Sequence, residues 1–286
     1  MPHTVTIAGI QMSMSASAAD NVRKAERLVR AAARRGARII CLPELYRTLY
    51  FPQAERGDKA ALAETVPGGS SEIFGPLAKE LGVTIVVPIY ECARRGGKAG
   101  KPRYYNSAIV FDERGRLLPT YRKIHIPHDP LFYEKNFFEP GDAGYLVYKT
   151  KHATFAVLIC YDQWFPEAAR QATLAGAEII FYPTAIGHVV GYKSADGDWE
   201  DAWETIMRGH AIANGTHIVA VNRAGREAKL RFWGHSFACD SFGKVLRRLG
   251  NGGDEILVAR LNLAHNQRIR EGWGFLRNRR PETYRR

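Results

Sequence analysis

Three polar residues with complementary chemistry follow strand-like runs in this sequence. Glu44 follows the run IICLP, Lys123 follows LLPTYR, and Cys160 follows TFAVLI. In open α/β folds, ligand sites lie beyond the carboxyl ends of the strands, so residues in such places are candidates for one shared site. A carboxylate, an ammonium and a thiol together form an acyl-transfer set of general base, oxyanion stabiliser and nucleophile.

Each of these signals also has an ordinary structural explanation. A cysteine at the end of an apolar run is usually a small buried residue, and Cys41 occupies a similar place. A glutamate after a proline is usually in a loop, and a lysine after an arginine is usually solvated. Cys160 differs because a helix is expected to begin near Pro166. Since the N-terminus of a helix lowers the pKa of a nearby thiol, we expect Cys160 to be a thiolate-prone nucleophile.

A metal site is the main rival within hydrolase chemistry. His125 and His128, with Asp129 directly after them, offer possible ligands. The proline between the two histidines disfavours the helix that would place both rings on one face, as in HExxH zinc enzymes. The spacing of the remaining candidates, His210, His217 and His235, fits no ligand pattern. The sequence therefore favours a site without a metal.

Strand and helix patterns alternate along the chain. Strands are expected at 5–12, 38–44, 83–90, 145–150, 154–160, 177–183, 217–223 and 255–261, with hairpins over 107–123 (turning at 113–115) and 234–249. Helices are expected at 20–36 with Asp20 as N-cap, near 70–82, from Pro166 to Gly176, at 199–215 and after 261. The apolar run 38–44 shows no polar alternation, as is typical of a strand buried on both faces. These patterns predict one α/β domain over residues 1–286 with two sheet layers, a tail over about 273–286, and mobile loops at 91–103 and 187–199.

Composition places the chain among ordinary globular proteins. Of its 286 residues, 45% are hydrophobic and 24% are charged. No run reaches the length of a membrane span, and the N-terminus resembles a strand more than a signal peptide. The four cysteines are scattered without a CxxC pair. This usage predicts reduced thiols and a cytoplasmic location.

The formal charge of +12 raises the possibility of a nucleic-acid partner. The basic residues, however, fall in short clusters at 30–38, 92–103 and 277–286. Aromatic side chains do not alternate with them as they do in a base-stacking platform. We therefore expect neither a nucleic-acid partner nor a membrane partner, and assign the charge to solubility or to steering of an anion.

The segments around the three polar residues resemble a known family. CLPELY around Glu44, YRKIHIP around Lys123, and LICYDQWFPEAARQATLAGAEIIFYPTAIG around Cys160 are similar to the three signature segments of the nitrilase superfamily of carbon–nitrogen hydrolases. The resemblance extends over residues 5–284. It implies a four-layer αββα sandwich, a Glu–Lys–Cys triad at these positions, a second glutamate at Glu134, and no metal or organic cofactor.

The resemblance also implies a role for each residue. Glu44 would act as general base on the Cys160 thiol and then as acid toward the departing amine. Lys123 and the backbone N–H of Tyr161 would stabilise the oxyanion. A covalent thioester-type intermediate would form with loss of ammonia, and water would hydrolyse it. Glu134 would orient Lys123 or that water.

Within the superfamily, DQWFPEAAR, FYPTAIG and WGFLRNRRPETY resemble the branch that hydrolyses N-carbamoylputrescine to putrescine, CO₂ and ammonia in polyamine biosynthesis. The alternatives are an N-carbamoyl-amino-acid hydrolase, similar to β-ureidopropionase, and an aliphatic amidase. Carbamoyl-amino-acid hydrolases tend to carry an arginine for the substrate carboxylate, where this chain has Gln163. That difference favours a substrate without a carboxylate, although Gln163 equally fits a structural hydrogen bond. Tyr161 stands where the putrescine enzymes have tryptophan.

The substrate pocket is expected near the ends of the strands that carry the site. Its candidate contacts are Tyr161, Asp162, Gln163, Thr184, Ala185 and His188. The segment 188–203 adds Asp196, Asp198 and Glu200, which either bind a remote ammonium group or form the solvated acidic start of a helix. The resemblance further implies a small-molecule substrate and a homodimer or larger homo-oligomer, with the arginine-rich tail as a possible interface.

Overall fold

A computed structural model of the protein describes residues 4–94 and 100–284. Its helices are α1 (Ala18–Arg34), α2 (Gly69–Leu81), α3 (Pro166–Leu174), α4 (Trp199–Asn214) and α5 (Ala264–Trp273). The strands of the first half are β1 (Thr4–Gln11), β2 (Ile39–Cys41), β3 (Thr84–Arg94), β4 (Pro102–Phe111), β5 (Tyr121–Arg122), β6 (Val147–Lys149) and β7 (Thr154–Val157). Those of the second half are β8 (Ile179–Thr184), β9 (Gly187–Val189), β10 (His217–Asn222), β11 (Ala224–Glu227), β12 (Leu230–Trp233), β13 (Phe237–Cys239), β14 (Val245–Arg248) and β15 (Glu255–Asn262).

Two six-stranded sheets form the centre of the fold. Their strand orders are β15-β1-β2-β3-β4-β5 and β14-β13-β10-β8-β7-β6. In the first sheet β1, β2 and β3 are parallel, and in the second β7, β8 and β10 are parallel. β5 is antiparallel to β4, which is antiparallel to β3, so β5 and β2 point the same way. The residues that follow β2 and β5 therefore emerge at one edge of the first sheet.

The short strand β2 shows why its sequence lacks polar alternation. Ile39 and Cys41 belong to the core between the two sheets, and Ile40 belongs to the core beneath the outer helices. Successive side chains of a strand point to opposite faces, so an apolar run is required when both faces are covered. The expectation that this strand is buried on both faces is confirmed.

The helices cover the outer faces of the two sheets. α1 and α2 pack on the first sheet, and α4, with α3 beside it, packs on the second. The sheets approach closely at Gly9, where a Cβ atom would lie 2.8 Å from Cγ2 of Val221. The expected αββα sandwich is confirmed. A small third sheet of β9, β12 and β11 lies outside the pattern predicted from the sequence.

Several predicted boundaries differ from the structure. α1 begins at Ala18 because Ser17, rather than Asp20, is the N-cap and accepts a hydrogen bond from the Asp20 N–H. The expected loop at 91–103 is wrong at both ends, since β3 extends to Arg94 and β4 begins at Pro102; the rest of that loop lies outside the described residues. The expected mobile segment 187–199 contains β9, which pairs with β12.

The hairpin turn was placed correctly. Gly115 donates its N–H to the Asp112 carbonyl, and the Asp112 N–H bonds the Arg116 carbonyl, so the chain reverses at 113–115. The second arm then delivers β5, which ends one residue before Lys123. Across residues 4–94 and 100–284, no helix combines the length and the apolar character that crossing a membrane requires.

Candidate active site

The centre of the site is a buried cluster of three charged side chains. Lys123 Nζ lies 2.9 Å from Glu44 Oε1 and 2.6 Å from Glu134 Oε2. All three side chains are fully shielded from solvent. Glu44 follows β2, Lys123 follows β5, and Glu134 begins a short 3₁₀ helix, Glu134–Asn136. One ammonium is therefore shared by two carboxylates, which leaves the cluster with an excess of negative charge.

That imbalance changes the protonation of the cluster. Burial disfavours the charge on Lys123, but the carboxylates of Glu134 and Glu44 outweigh it and raise the pKa of the ammonium above the usual lysine value. Burial, opposed by Lys123 and reinforced by the charge of Glu44, raises the pKa of Glu134. Lys123 is therefore a permanent cation, and the proton affinity of Glu134 is increased.

Two neutral donors also bind the carboxylates. Asn106 Nδ2 donates to Glu44 Oε1 at 2.7 Å, and the Tyr50 hydroxyl donates to Glu134 Oε1 at 2.7 Å. Glu44 Oε2 is buried without a hydrogen-bond partner within residues 4–94 and 100–284. This oxygen is the one free acceptor of the pair of glutamates, because both oxygens of Glu134 are engaged.

Cys160 lies at a strained turn between β7 and α3. Its φ angle is +44°, a left-handed conformation that is unusual for a residue with a side chain. The residue opens a 3₁₀ helix, Cys160–Trp164, whose first backbone N–H groups, including that of Tyr161, have no carbonyl partner within the helix. The N–H of Tyr161, the residue directly after Cys160, is therefore left as a backbone donor at this turn.

Asp162 holds that turn in place. Its Oδ2 accepts hydrogen bonds from the Ile159 N–H at 2.9 Å and the Tyr121 hydroxyl at 2.7 Å. Its Oδ1 accepts the N–H of His125 at 3.0 Å and lies 2.7 Å from His125 Nδ1. With both oxygens occupied by the protein, this buried carboxylate supports the turn at Cys160 and the chain next to Lys123.

The thiol of Cys160 is neutral at rest, contrary to the expectation from the helix start. Burial is the main reason that its pKa lies well above the ordinary cysteine value, and the negative charges of Glu44 and Glu134 add to it. Lys123 and a hydrogen bond from the Ala185 backbone act in the opposite direction without prevailing. The expectation of a depressed pKa was wrong because desolvation of the thiolate exceeds the effect of a nearby helix end.

A buried arginine fixes the loop that carries Glu44. Arg223 Nη1 bonds the carbonyls of Glu44 and Leu45 at 3.3 and 3.4 Å, and Nη2 bonds the Thr48 carbonyl at 2.8 Å. Glu227 balances its charge at 2.6 Å and also accepts the backbone N–H of Tyr50 at 2.6 Å. The backbone from Glu44 to Tyr50 is thus tied to one ion pair.

A cavity of about 640 Å³ opens onto Cys160 and Glu134, a size common for small-molecule sites. Most of its wall is apolar or aromatic, and the main contributors are Pro130, Leu131, Phe132, Trp164, Ile186, Val189, Tyr192 and Trp199. Its described lining includes two carboxylates, Asp129 and Glu134, and no lysine, arginine or histidine.

The six candidate substrate contacts divide into two groups. Tyr161, Gln163 and Ala185 line the cavity, whereas Asp162, Thr184 and His188 do not. Asp162 is fully buried in the contacts described above, and Thr184 is fully buried and donates to Gln163 Oε1 at 3.1 Å. His188 is exposed, and its ring packs on Trp233 with 4.8 Å between the ring centroids, outside the lining of this cavity.

Gln163 is held by the protein on one side only. Its Oε1 accepts hydrogen bonds from Thr184 and, at 3.0 Å, from Trp203 Nε1. Because the indole N–H is only a donor, these bonds fix which end of the amide is the oxygen. Nε2 is then a buried donor without a partner in the described structure. Gln163 thus has the structural role considered from the sequence and retains a free donor.

The acidic residues of the segment 188–203 contact the start of α4 or neighbouring side chains, and Asp196, Asp198 and Glu200 do not line the cavity. Asp198 is the N-cap of α4 and accepts from the N–H groups of Glu200 and Asp201 at 2.9 and 3.1 Å. Asp196 interacts with Ser194, and Glu200 pairs with His235. Of the two interpretations from the sequence, the acidic start of a helix agrees with these contacts.

The two histidines considered as metal ligands have different partners. His125 bonds Asp162 and stacks on Phe165, with 3.7 Å between ring centroids. His128 packs edge-on against Tyr133. Within residues 4–94 and 100–284, no three histidine, cysteine or carboxylate side chains are grouped in a way that fits a metal ion.

A profile of the carbon-nitrogen hydrolase family matches residues 6–271. The chain belongs to this family. The carbon–nitrogen hydrolase is 42% identical to an N-carbamoylputrescine amidase of Solanum lycopersicum, over 98% of this chain and 93% of that protein. It is 38% identical to a citrullinase of Francisella tularensis, over 98% and 96% of the two chains.

Among solved structures, the carbon-nitrogen hydrolase from Helicobacter pylori G27 has a TM-score of 0.91, with 35% identity over 99% of this chain and 97% of that one. The family expected from the three signature segments and the expected sandwich are thereby confirmed. The chain is an enzyme that hydrolyses non-peptide carbon–nitrogen bonds.

Sequence reasoning missed several residues of this carbon–nitrogen hydrolase site. Arg223 follows the apolar strand β10, so the strand-end rule that selected Glu44 would have selected it as well. Asn106 had a weaker signal, as a polar residue that, with Ser107, precedes the apolar end of β4. Tyr50 had no local signal, because its contact with Glu134 joins residues 84 positions apart.

Proposed function

We propose that this carbon–nitrogen hydrolase cleaves N-carbamoyl amines, with N-carbamoylputrescine as the leading substrate and Cys160 as the nucleophile. The observation that carries the proposal is the position of Cys160. Its side chain lines an apolar cavity, and the charges of Glu44, Lys123 and Glu134 act on the pKa of its thiol. The names of the relatives at 38–42% identity support a carbamoyl substrate.

In the first half-reaction, Glu44 removes the thiol proton as Cys160 Sγ attacks the carbamoyl carbon. Because the thiol is neutral at rest, a base is required, and Glu44 Oε2 is the buried acceptor without another partner. Glu44 then returns the proton to the departing nitrogen, and ammonia leaves. The substrate amine stays attached to Cys160 through a thiocarbamate bond.

In the second half-reaction, Glu44 deprotonates a water that attacks the thiocarbamate carbon. The C–S bond breaks, Cys160 recovers its proton, and the released carbamic acid decomposes to the amine and CO₂. Glu134 takes part indirectly, because its 2.6 Å contact holds Lys123 against the reacting atoms. The overall reaction consumes water and releases amine, CO₂ and ammonia, and no step requires a cofactor.

Lys123 and the backbone N–H of Tyr161 stabilise the negative oxygen in both tetrahedral intermediates. Lys123 is fully buried and its pKa is raised, so its charge is permanent and poorly screened. The Tyr161 N–H lies in the first turn of the 3₁₀ helix beside the sulfur. Removing one such donor typically costs about 10²–10³ in rate.

The cavity lining favours an amine over an amino acid as the remainder of the substrate. A substrate carboxylate needs a cation or several N–H donors, and the described lining contains no lysine, arginine or histidine. Gln163 stands at the wall with one free amide donor, which suits a neutral urea group better than a carboxylate.

The test is ammonia release from matched carbamoyl compounds and amides, with Cys160→Ala as the blank. The panel comprises N-carbamoylputrescine, citrulline, N-carbamoyl-β-alanine, an N-carbamoyl-D-amino acid and a short aliphatic amide. We expect the highest kcat/KM for N-carbamoylputrescine. A preference for the carboxylate-bearing members would overturn the proposed substrate class, and a preference for the amide would identify an aliphatic amidase.

We further propose that the enzyme is a homo-oligomer. The support is a run of stacked, solvent-facing aromatic rings, in which Trp273 stacks on Phe242 at 5.4 Å and on Phe275 at 5.7 Å. Trp273 is 58% exposed, and burying such rings against a second copy would be favourable. Light scattering of wild type and Trp273→Glu tests this, because an unchanged mass would exclude this surface as the interface.

A cytoplasmic location and a role in polyamine biosynthesis also remain proposals. All four cysteines are free, which suits a reducing compartment. Putrescine release would connect the reaction to polyamines.

A further inference from the structure

The carboxylate of Asp129 is the unusual feature of the cavity wall. Both oxygens of the other lining carboxylate, Glu134, are bonded to Lys123 and Tyr50. Asp129, in contrast, makes no salt bridge or side-chain hydrogen bond to any residue in 4–94 or 100–284. Of the two carboxylates that line this apolar cavity, Asp129 is therefore the one without a protein partner in the described residues.

A tight turn fixes the position of Asp129. The Phe132 N–H bonds the Asp129 carbonyl at 2.8 Å, and the Asp129 N–H bonds the Phe132 carbonyl at 3.3 Å. Pro130 follows Asp129 directly, and Leu131 adopts a positive φ of 69° within the turn. Leu131 and Phe132 line the same cavity, so the turn presents the carboxylate together with the adjoining apolar wall.

Asp129 lies at the mouth of the cavity and Cys160 lies inside it. Asp129 is exposed and also lines a neighbouring groove of about 770 Å³, whereas Cys160 is 7% exposed and absent from that groove. Tyr161, directly after the nucleophile, borders both spaces. Burial and then the negative charge of Asp129 raise the pKa of the Tyr161 phenol, so the two side chains share the rim.

The wall between the two ends is suited to a hydrocarbon chain. It is formed by proline, leucine, phenylalanine, isoleucine, valine and tryptophan side chains. Such a wall favours methylene groups and offers no partner for a charge along the way. A ligand that matches each part of the cavity thus has a carbonyl group at Cys160, an apolar middle along the wall and a cation at Asp129.

We propose that Asp129 binds the terminal ammonium of the substrate and selects ω-carbamoyl amines over neutral and carboxylate-bearing ureas. This inference rests on the proposed function, because it assigns the far end of the substrate whose carbamoyl group reacts at Cys160. The ammonium group is thus assigned to the turn at 129–132, instead of to the acidic residues of the segment 188–203 that the sequence offered as one possibility.

The experiment compares three ureas that differ in one terminal group. N-carbamoylputrescine ends in an ammonium, pentylurea has a methyl group at that place, and 5-ureidopentanoate carries a carboxylate at the end of its chain. We expect Asp129→Asn to lower the ratio of kcat/KM for N-carbamoylputrescine over pentylurea by about 10- to 100-fold, because a charged hydrogen-bonded pair is lost. Asp129→Lys should lower it further and raise relative activity on 5-ureidopentanoate.

Asp196→Asn is the matched control. It removes an exposed carboxylate of the segment 188–203 that does not line the cavity, so the ratio should stay at the wild-type value. Measurable turnover of pentylurea by each variant demonstrates that it is folded and competent.

The possible outcomes separate the two proposals. An unchanged ratio in Asp129→Asn, or a fall in Asp196→Asn instead, would overturn the assignment of Asp129. Wild-type enzyme that hydrolyses all three ureas equally would also overturn it, while the carbamoyl hydrolase function would stand. Wild-type enzyme that releases ammonia from none of them would overturn both.

Discussion

Lys123 Nζ lies between two buried carboxylate oxygens, 2.9 Å from Glu44 Oε1 and 2.6 Å from Glu134 Oε2. The ammonium stabilises both carboxylates, and they in turn keep it charged although all three side chains are shielded from solvent. A charge fixed in this way is already oriented when negative charge develops on a substrate oxygen, so it requires no reorganisation during the reaction.

Lys123→Met should damage both activity and stability. The change leaves two buried carboxylates without their cation, and breaking a buried ion pair costs about 3–5 kcal/mol of the free energy of unfolding. Oxyanion stabilisation is lost as well, so kcat should fall by at least about 10²-fold. Urea unfolding and ammonia release measure the two effects. The control is Lys149→Met, which removes an exposed lysine of β6; equal behaviour of the two variants would contradict the assigned role.

Tyr50→Phe should lower kcat while leaving the fold intact. It removes the hydroxyl that donates to Glu134 Oε1 at 2.7 Å, and an unsatisfied buried acceptor costs about 1–3 kcal/mol. Because Glu134 then holds Lys123 less well, we expect a loss in kcat of about tenfold with a smaller change in KM. Tyr46→Phe is the matched control, since its buried hydroxyl contacts Ser70 instead. The account fails here if both variants keep the wild-type kcat.

Acid should destabilise the fold through His217, which is almost fully buried at the start of β10. Burial lowers the pKa of this imidazole from 6.5 to about 4 in the folded state. Between those values the unfolded chain binds the proton and the folded chain does not. The contribution of His217 to stability is therefore complete above pH 6.5 and is lost as the pH falls to about 4, by about 3 kcal/mol.

Unfolding free energies of wild type and His217→Gln, measured at intervals from pH 7 to pH 4, test this contribution. The variant should lose less stability over this window than wild type does. His188→Gln, which replaces an exposed histidine, should follow the wild-type curve. Parallel curves for wild type and His217→Gln would show that other groups determine the acid sensitivity.

The parts of the site that were predictable from the sequence are those encoded locally. Strand-like runs before Glu44, Lys123 and Cys160 predict strands, and the residues that follow a strand emerge at its carboxyl end. The family resemblance then added Glu134. Tyr50 and Asn106 escaped because their roles depend on hydrogen bonds to side chains far away in sequence. Such contacts exist only after the sheets and loops have assembled.

Electrostatics was predicted least well. The helix start after Cys160 is visible in the sequence and by itself favours a thiolate. The depth at which the sulfur lies is a property of the assembled fold, and this depth raises the pKa. A neutral thiol must lose its proton before it can attack, so the general-base role proposed for Glu44 becomes a requirement of the proposed mechanism.

The most direct test of the account is mass spectrometry of the enzyme stopped during turnover of N-carbamoylputrescine. We predict a mass increase equal to the substrate minus ammonia, located on the peptide that contains Cys160, and its absence together with all ammonia release in Cys160→Ala. A Cys160→Ala enzyme that still releases ammonia, or an adduct on any other residue, would contradict the account.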